Sequence, residues 1–151
     1  MSAFSGRTVL ITGAAGGIGT ALAQAFSATG AQLALVDIAD CTDLVQSLPG
    51  GARCWQLDLT DPRAIDAITA EIGTDLGIDV LVNNAGHGVV ARAEDETIET
   101  WDLTQAINLR APWLMARASL PWLKQSGRGR IVNIASQAGV VAIAEHAAYG
   151  A

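Results

Sequence analysis

A short apolar run, Arg7 to Thr12, ends in the turn Gly13-Ala14-Ala15-Gly16-Gly17-Ile18-Gly19, after which Ile18, Leu22, Ala25 and Phe26 recur at helical spacing as far as Gly30. The pattern predicts a strand, a tight glycine turn and a helix. Bare backbone in such a turn can approach an anion closely, and the N–H groups of the first helical turn point at it. Gly13, Gly17 and Gly19 are the spaced glycines, with Gly16 and Ile18 completing the turn. The other reading of these residues is a strand-to-helix turn that binds nothing.

The rest of the chain repeats the alternation. Gln32 to Val36 is a second apolar run closed by Asp37, and Arg53 to Leu57 a third closed by Asp58. Asp61-Pro62 marks a helix start, because Asp accepts first-turn N–H groups and Pro at the first position loses no hydrogen bond; the helix should reach about Ile72. Asp79 to Val82 is a fourth strand, bounded by Asn83-Asn84-Ala85-Gly86, and Ile131 to Ala135 a fifth. Helical sequence runs between them from about Thr97 to Lys124, where Pro112 and Pro121 predict a break near Asn108 or a bend near Pro121. No linker or repeat interrupts the chain, so a single domain over residues 1–151 is expected. Strands alternating with helices imply an α/β fold: a doubly wound parallel sheet, Rossmann-like and three-layered, in the order 3-2-1-4-5. The ligand crevice of such a sheet opens where strand order reverses, between the first and fourth strands.

Composition narrows the classes. Half the residues are hydrophobic and only 5% aromatic, as a buried sheet packed by helices requires. The net charge of −6 is scattered, and 9 Lys and Arg form no basic block, which argues against nucleic acid as a partner. Cys41 and Cys54, lacking a Cys-x-x-Cys spacing, are expected to be reduced thiols in a cytoplasmic protein. Neither a signal-type start nor the ~20 apolar residues of a membrane span is found. His87 and His146 are isolated, so no metal site is expected. Trp55, Trp101, Trp113 and Trp122 read as core or subunit-contact residues.

Asp37 follows Gly19 at close to the ~20-residue interval after which an acid at the second strand's end hydrogen-bonds a ribose 2′-OH. That favours NAD over NADP, because Ala14, Ala15 and Gly16 supply no cation for a 2′-phosphate. The other reading is that Asp37 caps the next turn.

Thr12-Gly13-Ala14-Ala15-Gly16-Gly17-Ile18-Gly19, Asn83-Asn84-Ala85-Gly86, Ser136 and Tyr149 together resemble the short-chain dehydrogenase/reductase family over essentially the whole chain. The resemblance implies an NAD-dependent oxidoreductase that interconverts a secondary alcohol and a ketone. Asp58 and Leu59 would contact adenine, and Asn84, Ala85 and Gly86 would lie against the adenine ribose. Tyr149 would be the acid/base, Ser136 the donor to the substrate oxygen, and Asn108 the residue holding a helix irregularity and a relay water. A phenol near its ordinary pKa of ~10 needs a nearby positive charge to act as a base at neutral pH. The family places a Lys there in Tyr-x-x-x-Lys, which would fall two positions past Ala151. Relative to the family the domain is therefore expected to be C-terminally incomplete, lacking that Lys, the last two strands and the segment that closes over substrate. A dimer or tetramer is also implied. His87, Gly88, Gln137, Val140, Val141 and Ile143 would flank the substrate pocket, their apolar bias suiting an uncharged alcohol or carbonyl. Two alternatives stay open: a catalytically inactive dinucleotide-binding or scaffold module, and another Rossmann-type enzyme such as an epimerase or methyltransferase.

Overall fold

The computed structural model describes residues 3–151. Five parallel strands form one sheet in the order β3-β2-β1-β4-β5, the order expected. They are β1 (Thr8–Thr12), β2 (Gln32–Asp37), β3 (Ala52–Gln56), β4 (Val80–Asn83) and β5 (Arg130–Asn133). Every residue of β1 and β4 is buried, because helices cover both faces of the sheet. Alternate residues then serve two cores. Leu10, Ala34, Val36 and Leu81 face Ile65, Ile72, Leu114 and Met115 of α3 (Pro62–Leu76) and α5 (Ala111–Gln125). Val9, Ile11, Leu33, Leu35, Val80 and Val82 pack with Ala23 of α1 (Gly17–Ala28) and with Cys41 and Leu48, which flank the short α2 (Thr42–Ser47).

The helix signals act as chemistry requires. Asp61 accepts from Arg63 N at 2.8 Å and Ala64 N at 3.3 Å, with Pro62 opening α3, which runs on to Leu76 rather than stopping at Ile72. The interruption near Asn108 is real: α4 (Ile98–Gln105) passes into a π-helical turn, Ala106–Arg110, before α5. Pro121 lies inside α5. The last strand is shifted from the expected Ile131–Ala135, although Ile134 N still donates to Asn83 O at 2.9 Å. β5 pairs only with β4, and all of its residues are exposed. A four-residue helix, α6 (Ala147–Gly150), carries Tyr149.

The cysteines correct the sequence reading: Cys41 and Cys54 form a disulfide rather than two reduced thiols. The parallel register sets Cys54 opposite Leu35, and the turn after β2 brings Cys41 back beside β3, with a Cα–Cα separation of 6.0 Å. That distance lies within the ~4.4–6.8 Å a disulfide spans. The four tryptophans divide. Trp55 is in the core, its Nε1 donating to Glu71 Oε1 at 2.7 Å, and Trp122 packs against the core. Trp101 and Trp113 are exposed.

Candidate active site

The C-terminal ends of the strands open into one groove of about 1660 Å³, centred where strand order reverses between β1 and β4. Small-ligand pockets usually enclose ~300–1,000 Å³, so this one has room for more than a single small molecule. All of Gly13, Gly16, Gly17, Ile18, Gly19, Asp37, Asp58, Leu59, Asn84, Ala85, Gly86, Asn108, Ser136 and Tyr149 line it.

Its first half is stitched together by backbone. Gly13 has φ 66°, and a Cβ there would sit 2.7 Å from Ala85 Cα; one on Gly19 would run into the Gly13 carbonyl. Only glycine permits both the turn and this approach. Asn84 Nδ2 donates to the carbonyls of Thr12 and Gly13, each at 3.0 Å, while Thr12 Oγ1 accepts from Asn84 N and Ala85 N at 3.1 Å. Asp37, the last residue of β2, accepts from Ala15 N through Oδ2 and from Ala39 N through Oδ1, both at 2.9 Å. Its carboxylate therefore joins the glycine turn to the turn after β2. Asp58 Oδ1 accepts from Thr60 N and Thr60 Oγ1 at 2.8 Å, an Asx-type turn just beyond β3.

These residues suit a dinucleotide's diphosphate. Gly16 caps α1 without any side-chain acceptor, and the first turn holds no acid to compete with an anion. A Cβ added to Gly17 would meet nothing within 4 Å, so bare backbone faces the groove there.

In the second half, side chains hold backbone. Asn108, in the π-helical turn, accepts from His87 N through Oδ1 at 2.8 Å and donates from Nδ2 to His87 O at 2.7 Å. It thereby fixes the segment after β4. Ser136 begins the 3₁₀ turn Gln137–Gly139, its Oγ accepting from Ala138 N at 3.2 Å. The Tyr149 ring meets His146 edge-on, with centroids 6.1 Å apart. Of the expected flanking residues, His87, Gly88 and Val140 line the groove, and Val141 and Ile143 line an adjoining hollow. Gln137 lines neither. Glu96 and Gln105, which the sequence did not single out, bond the backbone of Ala148 next to Tyr149.

Two glycine-bearing turns meeting at the reversal of a 3-2-1-4-5 parallel sheet define a Rossmann-like, doubly wound α/β protein. The chain belongs to the short chain dehydrogenase family, whose model matches residues 7–151. It is 40% identical over 150 residues to a D-threitol dehydrogenase of Mycolicibacterium smegmatis, covering 95% of this chain and 58% of that protein. It is 40% identical over 146 residues to an NAD-dependent glycerol dehydrogenase of Listeria innocua, with the same coverage of 95% and 58%. An NAD+-bound xylitol dehydrogenase structure superposes with a TM-score of 0.92 at 32% identity, covering 98% of this chain and 60% of that one. A Beutenbergia cavernae structure described as an NAD(P)-dependent gluconate 5-dehydrogenase, with NADP at low occupancy, also gives 0.92 at 32% identity, covering 97% and 60%. The chain thus spans about 58% of the length of the curated relatives it matches. Among the described residues no helix is long and apolar enough to cross a membrane.

Proposed function

We propose that residues 1–151 form one dinucleotide-binding domain carrying the cofactor end and the acid/base group of an NAD-dependent oxidoreductase, which interconverts a secondary alcohol of polyol type and the corresponding ketone. The observation that carries this reading is a single groove lined by the glycine turn, by Asp37, and by Asn108, Ser136 and Tyr149. The names of the threitol, glycerol and xylitol dehydrogenases support the polyol class.

Gly13 to Gly19 bind the diphosphate with backbone N–H groups, and Asp37 accepts from the adenosine ribose hydroxyls. Asp58 and the Leu59 backbone face adenine, and Asn84, Ala85 and Gly86 lie along the ribose. When bound, the nicotinamide supplies the hydride donor or acceptor. Tyr149 exchanges a proton with the substrate oxygen in step with that transfer. Ser136 Oγ accepts from Ala138 N, which leaves its own hydrogen free to donate to the substrate oxygen. Asn108 holds the His87 peptide and so sets the wall of the groove between cofactor and substrate. A homo-oligomer belongs to the same proposal, supported by the exposed side chains of Trp101 and Trp113.

The test is Tyr149→Phe in the whole protein, assayed for NAD reduction with glycerol, threitol and xylitol. Binding of NADH, read by fluorescence, should be retained while turnover falls by about 10²-fold or more. Turnover at the unmodified rate would overturn the assignment of Tyr149.

A further inference from the structure

α6 carries Tyr149, which is half-buried, and is preceded by Glu145 at φ 61°. Bonds from elsewhere in the chain hold this segment. Ala91 N donates to Glu145 O at 2.9 Å, which ties down the approach to α6. The tighter grip is at Ala148, the residue before Tyr149, which is 4% exposed. Its N–H donates to Glu96 Oε2 at 3.1 Å, and its carbonyl accepts from Gln105 Nε2 at 2.9 Å. Glu96 precedes the N-cap of α4 and Gln105 is the helix's last residue, so α4 reaches Ala148 from both of its ends. A Cβ on Gly88 would sit 2.7 Å from Tyr149 Cδ2, so the Gly88 backbone packs against the ring.

We propose that Glu96 and Gln105 are positioning residues: by taking the N–H and the C=O of Ala148 between them, they fix where the Tyr149 hydroxyl stands in the groove. The inference rests on the reading of Tyr149 as the acid/base. Its physical basis is that the residue before Tyr149 is buried and both its polar groups depend on these two side chains. Removing either partner releases the backbone that aims the phenol. Gln105 also leads directly into the π-helical turn in which Asn108 holds His87, so one stretch of chain sets the Tyr149 segment and the segment after β4 relative to each other.

Tyr149 is the only tyrosine among residues 1–151. Ring-13C-tyrosine labelling, with the Tyr149 NMR signals assigned by their loss in Tyr149→Phe, reports its surroundings without turnover. Glu96→Ala and Gln105→Leu should each shift and broaden those signals, with circular dichroism and NADH affinity unchanged. Glu96→Gln, which retains an acceptor oxygen of the same reach, should restore them. In the whole protein, assayed with glycerol or threitol, kcat should fall on the order of 10-fold with KM little moved, since misplacement by ~1 Å can cost 10²-fold. Ring signals unmoved in both Glu96→Ala and Gln105→Leu would overturn the proposal. Shifted signals with unchanged kcat would keep the positioning role and overturn the acid/base reading of Tyr149. If Glu96→Ala fails to fold, Gln105→Leu decides alone, because Leu retains the packing of the Gln stem while losing the amide that donates to Ala148 O.

Discussion

Replacing Asp37 by Ala separates two things that one carboxylate does. Its oxygens accept from Ala15 N and Ala39 N, which stiffens the glycine turn against whatever lies in the groove. Each oxygen retains a second lone pair for a ribose hydroxyl. Loss of a hydrogen bond to a charged group costs about 1.5–3 kcal/mol, so NADH affinity should fall roughly 10- to 100-fold. NADPH responds with the opposite sign to the same change. A 2′-phosphate carries close to two negative charges, and at ~5 Å from a carboxylate the repulsion is about 1.7 kcal/mol even at the dielectric of water, and about four times that at an effective dielectric of 20. Half-buried Asp37 lies between those limits. Relief of repulsion should therefore favour NADPH binding by at least about 10-fold, against whatever the loosened turn costs.

The loosening affects both cofactors alike and cancels in the ratio of their dissociation constants. That ratio should move toward NADPH by roughly 10²-fold. Fluorescence titrations of NADH and NADPH measure it directly. Repeating them at 0.01 and 0.15 M salt separates the terms, because the Debye length contracts from ~30 Å to ~8 Å and screens only the charge repulsion. An unchanged ratio, with both affinities falling together, would leave Asp37 a turn residue and refute its place at the ribose.

Two further perturbations test the scaffold. Asp79, with its side chain 14% exposed, accepts from Ser126 Oγ, Arg128 Nε and Thr8 N at 2.6, 2.9 and 2.8 Å. Burial pushes its carboxyl up, but these donors outweigh burial and hold it below the ordinary 3.8. A depressed folded value means that the stabilisation is complete above the unfolded value and is lost as pH falls through the folded one. Asp79→Asn should cost ~2 kcal/mol in urea unfolding at pH 7. The gap from the parent should narrow below pH 3.8, and a constant gap down to pH 2 would contradict the ionic account. The Cys41–Cys54 link closes a separation of 13 residues, for which the chain-entropy estimate is ~3 kcal/mol. Reduction, or Cys54→Ser, should lower the thermal midpoint by roughly 6–12 °C, and complete alkylation of both cysteines in the native, unreduced protein would show that the link is absent.

What the sequence revealed and what it hid divide along a physical line. β1, β2 and β4 were legible because their middles, residues 9–11, 33–36 and 80–82, are buried on both faces of a parallel sheet and are apolar. Asp61-Pro62 and the break at Asn108 were legible because backbone hydrogen bonding limits which residues can stand there. Given the observed reversal of strand order, right-handed crossovers place helices on both faces of the sheet. α2 was missed: it has six residues and none of them is buried, so it leaves no apolar period. The disulfide was missed because its two ends meet only after β2 and β3 have paired, through a register that composition does not encode. The grip on Ala148 was missed for the same kind of reason. It joins side chains to backbone across 43 and 52 positions and depends on where α4 lies, not on any local pattern.

That division bears on function, because the two halves of the groove are built from different materials. The cofactor half hangs on the ends of β1, β2 and β4, whose side chains are the two cores, so displacing Gly13, Asp37 or Asn84 requires disturbing the middle of the sheet. Ser136 and Tyr149 lie instead beyond β5, and the Tyr149 segment is joined to α4 by side-chain-to-backbone bonds at Ala148. On the proposed assignment, the cofactor-binding turns rest on the core of the sheet, and the aim of the Tyr149 hydroxyl rests on the hold of Glu96 and Gln105 on Ala148.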